Sequence, residues 1–153
     1  MNSLLMFNII GFINSDGGLK YFKVCEDYTK NNKVKNVNLY ANVPFKDVKN
    51  ILQRSKFFMH NMRYEPASLV TIQAIAAGCV PLTHDSGGEK EGIPYDELRF
   101  SSKNEAVEKL RDLSRKNLDK LRTNLQKYIK KFDQEVFKNK IRDLLEEYLW
   151  GKH

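Results

Sequence analysis

The sequence predicts an α/β fold: a doubly wound parallel sheet followed by C-terminal helices, all within a single domain spanning residues 1–153. Three observations predict it. Short apolar runs bounded by Gly, Pro, Asn or Asp alternate with stretches of helical periodicity, which is the rhythm of strand–helix–strand units. Phe7 to Ile13 is a run apolar but for Asn8, as expected of a strand covered on both faces. From Lys103 onward the pattern is helical throughout.

Taken in order, the Phe7 to Ile13 strand ends in turn chemistry at Asn14-Ser15-Asp16-Gly17-Gly18, and Leu19 to Asn31 reads as a helix. Val37 to Val43 is a second strand closed by Pro44. Lys46 to Ser55 then places Val48, Ile51 and Leu52 at helical spacing. Phe57 to Met62 is a third strand, Ser68 to Ala77 a helix, Val80 to His84 a fourth strand and Leu98 to Ser101 a short fifth. Asn104 to Arg115 and Leu118 to Phe132 are helices. Gln134 to Trp150 is an amphipathic one, with Val136, Ile141, Leu144, Leu145 and Tyr148 able to share a face. No internal repeat or linker interrupts the series.

At 153 residues, with 41% hydrophobic and 29% charged residues, the chain has the make-up of a globular domain with one core. No apolar run approaches the roughly 20 residues that cross a bilayer. Met1 to Ile13 lacks a basic leader and a small-residue cleavage site, so it reads as a strand rather than a signal peptide. Cys25 and Cys79 lie in different elements and make no disulfide framework, which fits a reducing cytoplasm. His60, His84 and His153 have no metal-ligand spacing, so neither a metal nor another cofactor is expected. The formal charge of +7 suits an anionic partner: nucleotide phosphate, nucleic acid or an acidic membrane surface. Lys127, Lys130, Lys131, Lys138 and Lys140 carry much of it, and such a run is also an ordinary solvated helix face.

The richest segment runs from His60 to Gly78. A strand end leads through an acidic loop into a short helix closed by glycine, and the open N–H groups of such a helix start suit phosphate. Glu65 stands just ahead of them, either to cap or pair locally or to face a ligand. The helix is apolar on nearly every side, so it is expected to be buried. Its one polar member, Gln73, then needs a partner, in the backbone or in the hydroxyls of a ligand. A second loop, His84-Asp85-Ser86-Gly87-Gly88-Glu89-Lys90-Glu91, also follows a strand. Its glycines mark a turn or a close approach of backbone to ligand. The two loops would open on the same edge of the sheet.

At these residues the chain resembles the C-terminal domain of the group 1 glycosyltransferases, the retaining GT-B enzymes with a Rossmann-like half that binds a nucleotide-sugar. Their mark is a Glu, seven residues, and a second Glu. Glu65 matches the first, Gln73 stands in place of the second, and Ala74-Ile75-Ala76-Ala77-Gly78 matches the small-residue helix end. Ser86-Gly87-Gly88 with Glu91 matches the later glycine loop. Asn42-Val43-Pro44-Phe45, His60-Asn61-Met62 and His84-Asp85-Ser86-Gly87-Gly88 look most like the asparagine-linked glycosylation mannosyltransferases, which use GDP-mannose on dolichol-linked acceptors. The resemblance covers roughly Phe7 to Leu144.

The resemblance implies a hexosyltransferase donor domain. Glu65 would be catalytic, lying against the donor sugar. Ser68, Leu69 and Val70 would supply amides and Gln73 would face the ribose. Val43, His60, Gly87 and Gly88 would complete the substrate site, with no metal. Gln73 keeps hydrogen-bonding capacity but loses the charge assistance of a carboxylate. Ala67 and Ser68 replace the family's usual aromatic and glycine, which puts a side chain where the sugar would approach. The strand Phe7 to Ile13 matches the family's second strand of this domain, so the first strand–helix unit, with its diphosphate-gripping basic residues, and the N-terminal acceptor domain are both expected to be absent. A separate chain or domain for the acceptor is therefore the implied partner, and contact with a membrane surface the implied setting. The isolated domain would not turn over. The alternative is a non-catalytic interaction module descended from such an enzyme. No interleaved aromatic platform supports nucleic-acid binding.

Overall fold

The computed structural model describes residues 5–151 and shows a mixed α/β chain whose strands all pair in parallel. It divides into two compact units, one ending at Ile51 and one beginning at Leu52. Among the described residues the strands form two hydrogen-bonded sheets, of two and three strands, where the rhythm of the sequence predicted one.

In the N-terminal unit, β1 (Phe7–Gly11) pairs with β2 (Val37–Ala41) in a register that sets Phe7 beside Val37 and Gly11 beside Ala41. The strand ends are tied by Asn42. Its Oδ1 accepts the Ile13 N–H at 2.7 Å and its amide donates to the Ile13 carbonyl at 3.1 Å, so the side chain continues the ladder where the backbone turns to φ 54°. The turn expected at Asn14 to Gly18 is instead a helix start. Ser15 caps α1 (Asp16–Asn31) by accepting the Gly18 N–H at 3.1 Å, and Asp16 favours the positive end of the helix. The largely apolar run of β1 is not covered on both faces as expected: Phe7 is 36% and Ile9 55% exposed. A two-stranded sheet offers little to close over both faces, and an apolar run records the capacity for burial rather than its partner.

Helix α2 (Phe45–Arg54) leads across the division. In the C-terminal unit, β3 (Phe57–His60), β4 (Val80–His84) and β5 (Arg99–Phe100) lie in that spatial order, with His60 beside Thr83 and His84 beside Phe100. The central strand β4 has Val80, Pro81, Leu82 and Thr83 all buried, as a parallel strand covered on both faces should. Helix α3 (Leu69–Ala76) packs on β3 and β4, and Gly78 at φ 100° ends it in the left-handed conformation expected of that glycine. After β4 come a four-residue helix, α4 (Glu89–Gly92), and a single 3-10 turn, Asp96–Leu98.

The helices that follow belong to the same core. From α5 (Lys103–Ser114) and α6 (Asp119–Ile129), Ala106, Leu110, Leu113 and Leu125 join Ile75, Val80, Leu82, Ile93, Leu98, Phe100 and Leu118 in one buried cluster. Each such aliphatic side chain contributes about 1.5–3 kcal/mol when fully buried. Ser102 caps α5 through the Glu105 N–H, and the Glu105 carboxylate accepts the Ser101 N–H at 2.8 Å in return. The Lys109 ammonium and these backbone donors hold the Glu105 carboxyl below the usual range. After a 3-10 turn at Lys130–Phe132, α7 (Gln134–Trp150) has the predicted bounds, with Ile141, Leu144, Leu145 and Tyr148 exposed.

Candidate functional site

The loops after β3 and β4 open on one edge of the sheet, as expected, and they are fastened to each other. The Gly88 N–H donates to the Glu65 carbonyl at 2.7 Å. Ser86 Oγ accepts the Tyr64 N–H at 2.9 Å, and the Ser68 hydroxyl donates to the Gly88 carbonyl at 2.9 Å. Ser86 Oγ also lies 2.9 Å from His84 Nδ1. At the base of the second loop, Asp85 pairs with Arg99 Nε at 3.0 Å, while Arg99 also donates to the Ile93 carbonyl at 2.6 Å and engages Asp96. These contacts fix the loop to β5 and to the turn before it.

This fastening gives Gly87 and Gly88 a role within the fold. A Cβ on Gly87, whose φ is 63°, would stand 2.5 Å from the Glu65 carbonyl oxygen, and one on Gly88 would come closer still to that of Pro66. The close approach that requires glycine is to the neighbouring loop. Ser68 joins the same seam: it is only 5% exposed and its side chain turns under the Gly88 carbonyl toward Gly92.

The start of α3 is open. Ser68 occupies the N-cap position but makes no side-chain cap, since its hydroxyl is spent on Gly88. The Leu69 N–H is turned back to the Ala67 carbonyl at 2.8 Å. Those of Ser68, Val70 and Thr71 have no acceptor among the described residues. Of the three amides expected, that of Val70, on a half-exposed residue, is open, that of Ser68 is unpaired in a residue only 5% exposed, and Thr71 is fully buried. The half-buried Glu65 carboxylate neither caps the helix nor forms an ion pair or hydrogen bond among the described residues. The local-capping reading therefore falls away.

Gln73 is a second correction. Helix α3 is buried on one side only, through Thr71, Ala74 and Ile75, while Leu69 (65% exposed), Val70 (50% exposed), Gln73 and Ala76 form an open face. The apolar composition suggested a helix dry all round, but a single sheet and α6 cover only one flank. Gln73 therefore carries no buried amide and needs no internal partner. Val43 follows β2 in the N-terminal unit and is half-buried there.

His60 ends β3 with its ring stacked at 5.9 Å on Phe58 and its Nδ1 2.9 Å from Glu89 Oε1. Glu89 is fully buried, and the same oxygen accepts the Thr71 hydroxyl at 3.1 Å. Sequence reasoning passed over both partners. Glu89 and Glu91 are equally placed by spacing, and only their positions on α4 separate them: Glu89 turns inward, while Glu91 is exposed and offers its carbonyl to Tyr128. Cys79 is buried against the Leu52 and Ser55 carbonyls, and burial pushes its thiol up to about 11, away from nucleophilic chemistry. Among the described residues no group of three or more His, Cys, Asp or Glu side chains could hold a metal ion.

The family model for "Glycosyl transferases group 1" matches residues 2–132, well over half the chain. The protein belongs to the group 1 glycosyltransferases. Among curated relatives, a protein of Xenopus tropicalis named GDP-Man:Man(3)GlcNAc(2)-PP-Dol alpha-1,2-mannosyltransferase is 35% identical over 63 residues, which are 40% of this chain and 13% of that protein. Its Homo sapiens namesake is 35% identical over 57 residues, 37% of this chain and 12% of that protein. The chain therefore matches only a small part of the length of these relatives. The group 1 assignment accords with the α/β architecture. No helix among the described residues is long and apolar enough to cross a membrane.

Proposed function

We propose that this chain is the nucleotide-sugar donor-binding part of a retaining glycosyltransferase that moves a hexose, mannose from GDP-mannose, to a glycan or lipid-linked acceptor. The observation that carries the reading is an unengaged Glu65 carboxylate in the loop that leads to the open, half-exposed Val70 amide at the α3 start. Such amides stabilise a departing diphosphate without reorganising. A carboxylate beside them serves the sugar, whose hydroxyls donate to it. Gln73, on the exposed face of α3 one turn beyond Leu69, is free to meet ribose hydroxyls. Ser68 supports the reading by holding the two loops together rather than obstructing them.

The donor assignment follows the activity in the names of the two relatives. Transfer requires an acceptor-binding domain or chain, because bringing donor and acceptor into one orientation supplies several kcal/mol of the barrier reduction. The reading places the chain on the cytoplasmic side, peripheral to a membrane that carries the acceptor.

Calorimetric titration with GDP-mannose, GDP, UDP and ADP tests this. GDP-mannose and GDP are expected to bind, with Glu65→Ala weakening GDP-mannose about tenfold and GDP little, since the carboxylate meets the sugar. Gln73→Ala should weaken both by about threefold to tenfold. Binding of none of the four by the wild-type chain would instead support an interaction module derived from a glycosyltransferase.

A further inference from the structure

Glu89 is a fully buried carboxylate with two protein donors, and both converge on one oxygen. His60 Nδ1 lies 2.9 Å and the Thr71 hydroxyl 3.1 Å from Oε1, while Oε2 has no partner. A buried carboxylate is costly unless paired, so its place here is set by the imidazole it holds. His60 is restrained on a second side by Phe58, stacked at 5.9 Å with the rings 28° apart. Its side chain is 19% exposed, and Nε2 is not among the buried atoms that lack a partner. Which ring nitrogen of a histidine carries the proton is decided by the hydrogen bond made at the other.

We propose that Glu89 is the positioning residue for His60: by accepting the Nδ1–H it confines the neutral imidazole to that tautomer and presents Nε2 as an acceptor for a hydroxyl of the donor sugar. Oε1 already accepts the Thr71 hydroxyl, so it is occupied as an acceptor and not as a donor toward the ring. Thr71 also belongs to the first turn of α3, so the carboxylate is held by the helix whose start carries the open Val70 amide. Sugar hydroxyls would then meet acceptors at His60 and Glu65, while the Val70 amide is left to the diphosphate. That combination distinguishes a neutral polyol from a second phosphate, for which a ring acceptor is repulsive. The sugar half of this inference rests on the donor-binding reading above, whereas the tautomer does not.

The test is the ring nitrogen signals of His60 by nitrogen-15 NMR of the ligand-free chain in weakly alkaline buffer, assigned by their loss in His60→Asn. Wild type is expected to carry the proton on Nδ1. Glu89→Leu should move it to Nε2 and reduce the affinity gained by GDP-mannose over GDP about threefold to tenfold. Glu89→Gln, which keeps the shape and an acceptor, should restore most of both. An unprotonated Nδ1 in the wild type overturns the proposal whether or not Glu89→Leu folds, and so does a Glu89→Leu protein with wild-type ring signals. If the wild-type chain binds no nucleotide while Nδ1 is protonated, the donor reading and the sugar contact fall and the positioning of His60 by Glu89 stands.

Discussion

Gly87→Ala is expected to destabilise the chain by about 2–4 kcal/mol, through two mechanisms acting at one atom. The added Cβ must be carried at φ 63°, and it would stand 2.5 Å from the Glu65 carbonyl oxygen, a backbone atom that cannot rotate aside. Relief requires the two loops to part, breaking the bonds from Gly88 N–H to Glu65 and from Tyr64 N–H to Ser86. Glu65 would move with them, so nucleotide-sugar affinity should fall in the fraction that still folds. Gly78→Ala isolates the backbone term: φ there is 100° but a Cβ meets nothing within 4 Å, so about 1–2 kcal/mol is expected. Thermal melts of the two variants decide the matter. Gly87→Ala should melt roughly 5–15 °C below wild type and clearly below Gly78→Ala, whereas equal shifts would show that the loops are not in contact.

Leu125→Ala is expected to cost about 2–5 kcal/mol in denaturant titrations, the range for emptying a fully buried leucine site. Leu125 is 0% exposed on α6, which packs on α3, so the cavity would open on the side of α6 that supports the core around α3. The contrast is Leu144→Ala in α7. That side chain is 60% exposed, and its removal should change stability by less than about 0.5 kcal/mol. A Leu125→Ala protein as stable as wild type would mean that α6 is an appendage of the sheet.

That contrast shows where the sequence is a good guide and where it is not. The strand–helix rhythm, the glycine that ends α3 and the bounds of β4 and α7 were all legible, because each depends on periodicity or on one residue's backbone freedom. Coverage was not. The apolar run of β1 and the apolar circumference of α3 both suggested burial, yet Ile9, Leu69 and Val70 are exposed, since hydrophobicity does not state what packs against it. The same limit applied within the site. Glu65 and the α3 amides could be found from a loop-to-helix pattern, while the use of Gly87 and Gly88 to seat one loop on another depends on a through-space approach that no spacing encodes. Choosing Glu89 over Glu91 as the buried carboxylate required the direction of a four-residue helix.

The central claim is that the sugar nucleotide sits at the start of α3, and amide NMR of the isotope-labelled chain during addition of GDP-mannose tests it most directly. The Leu69 and Val70 amides, with those of Glu65 and Gly88, are expected to show the largest shifts and to saturate together. Saturable binding that leaves those four amides unmoved would contradict it.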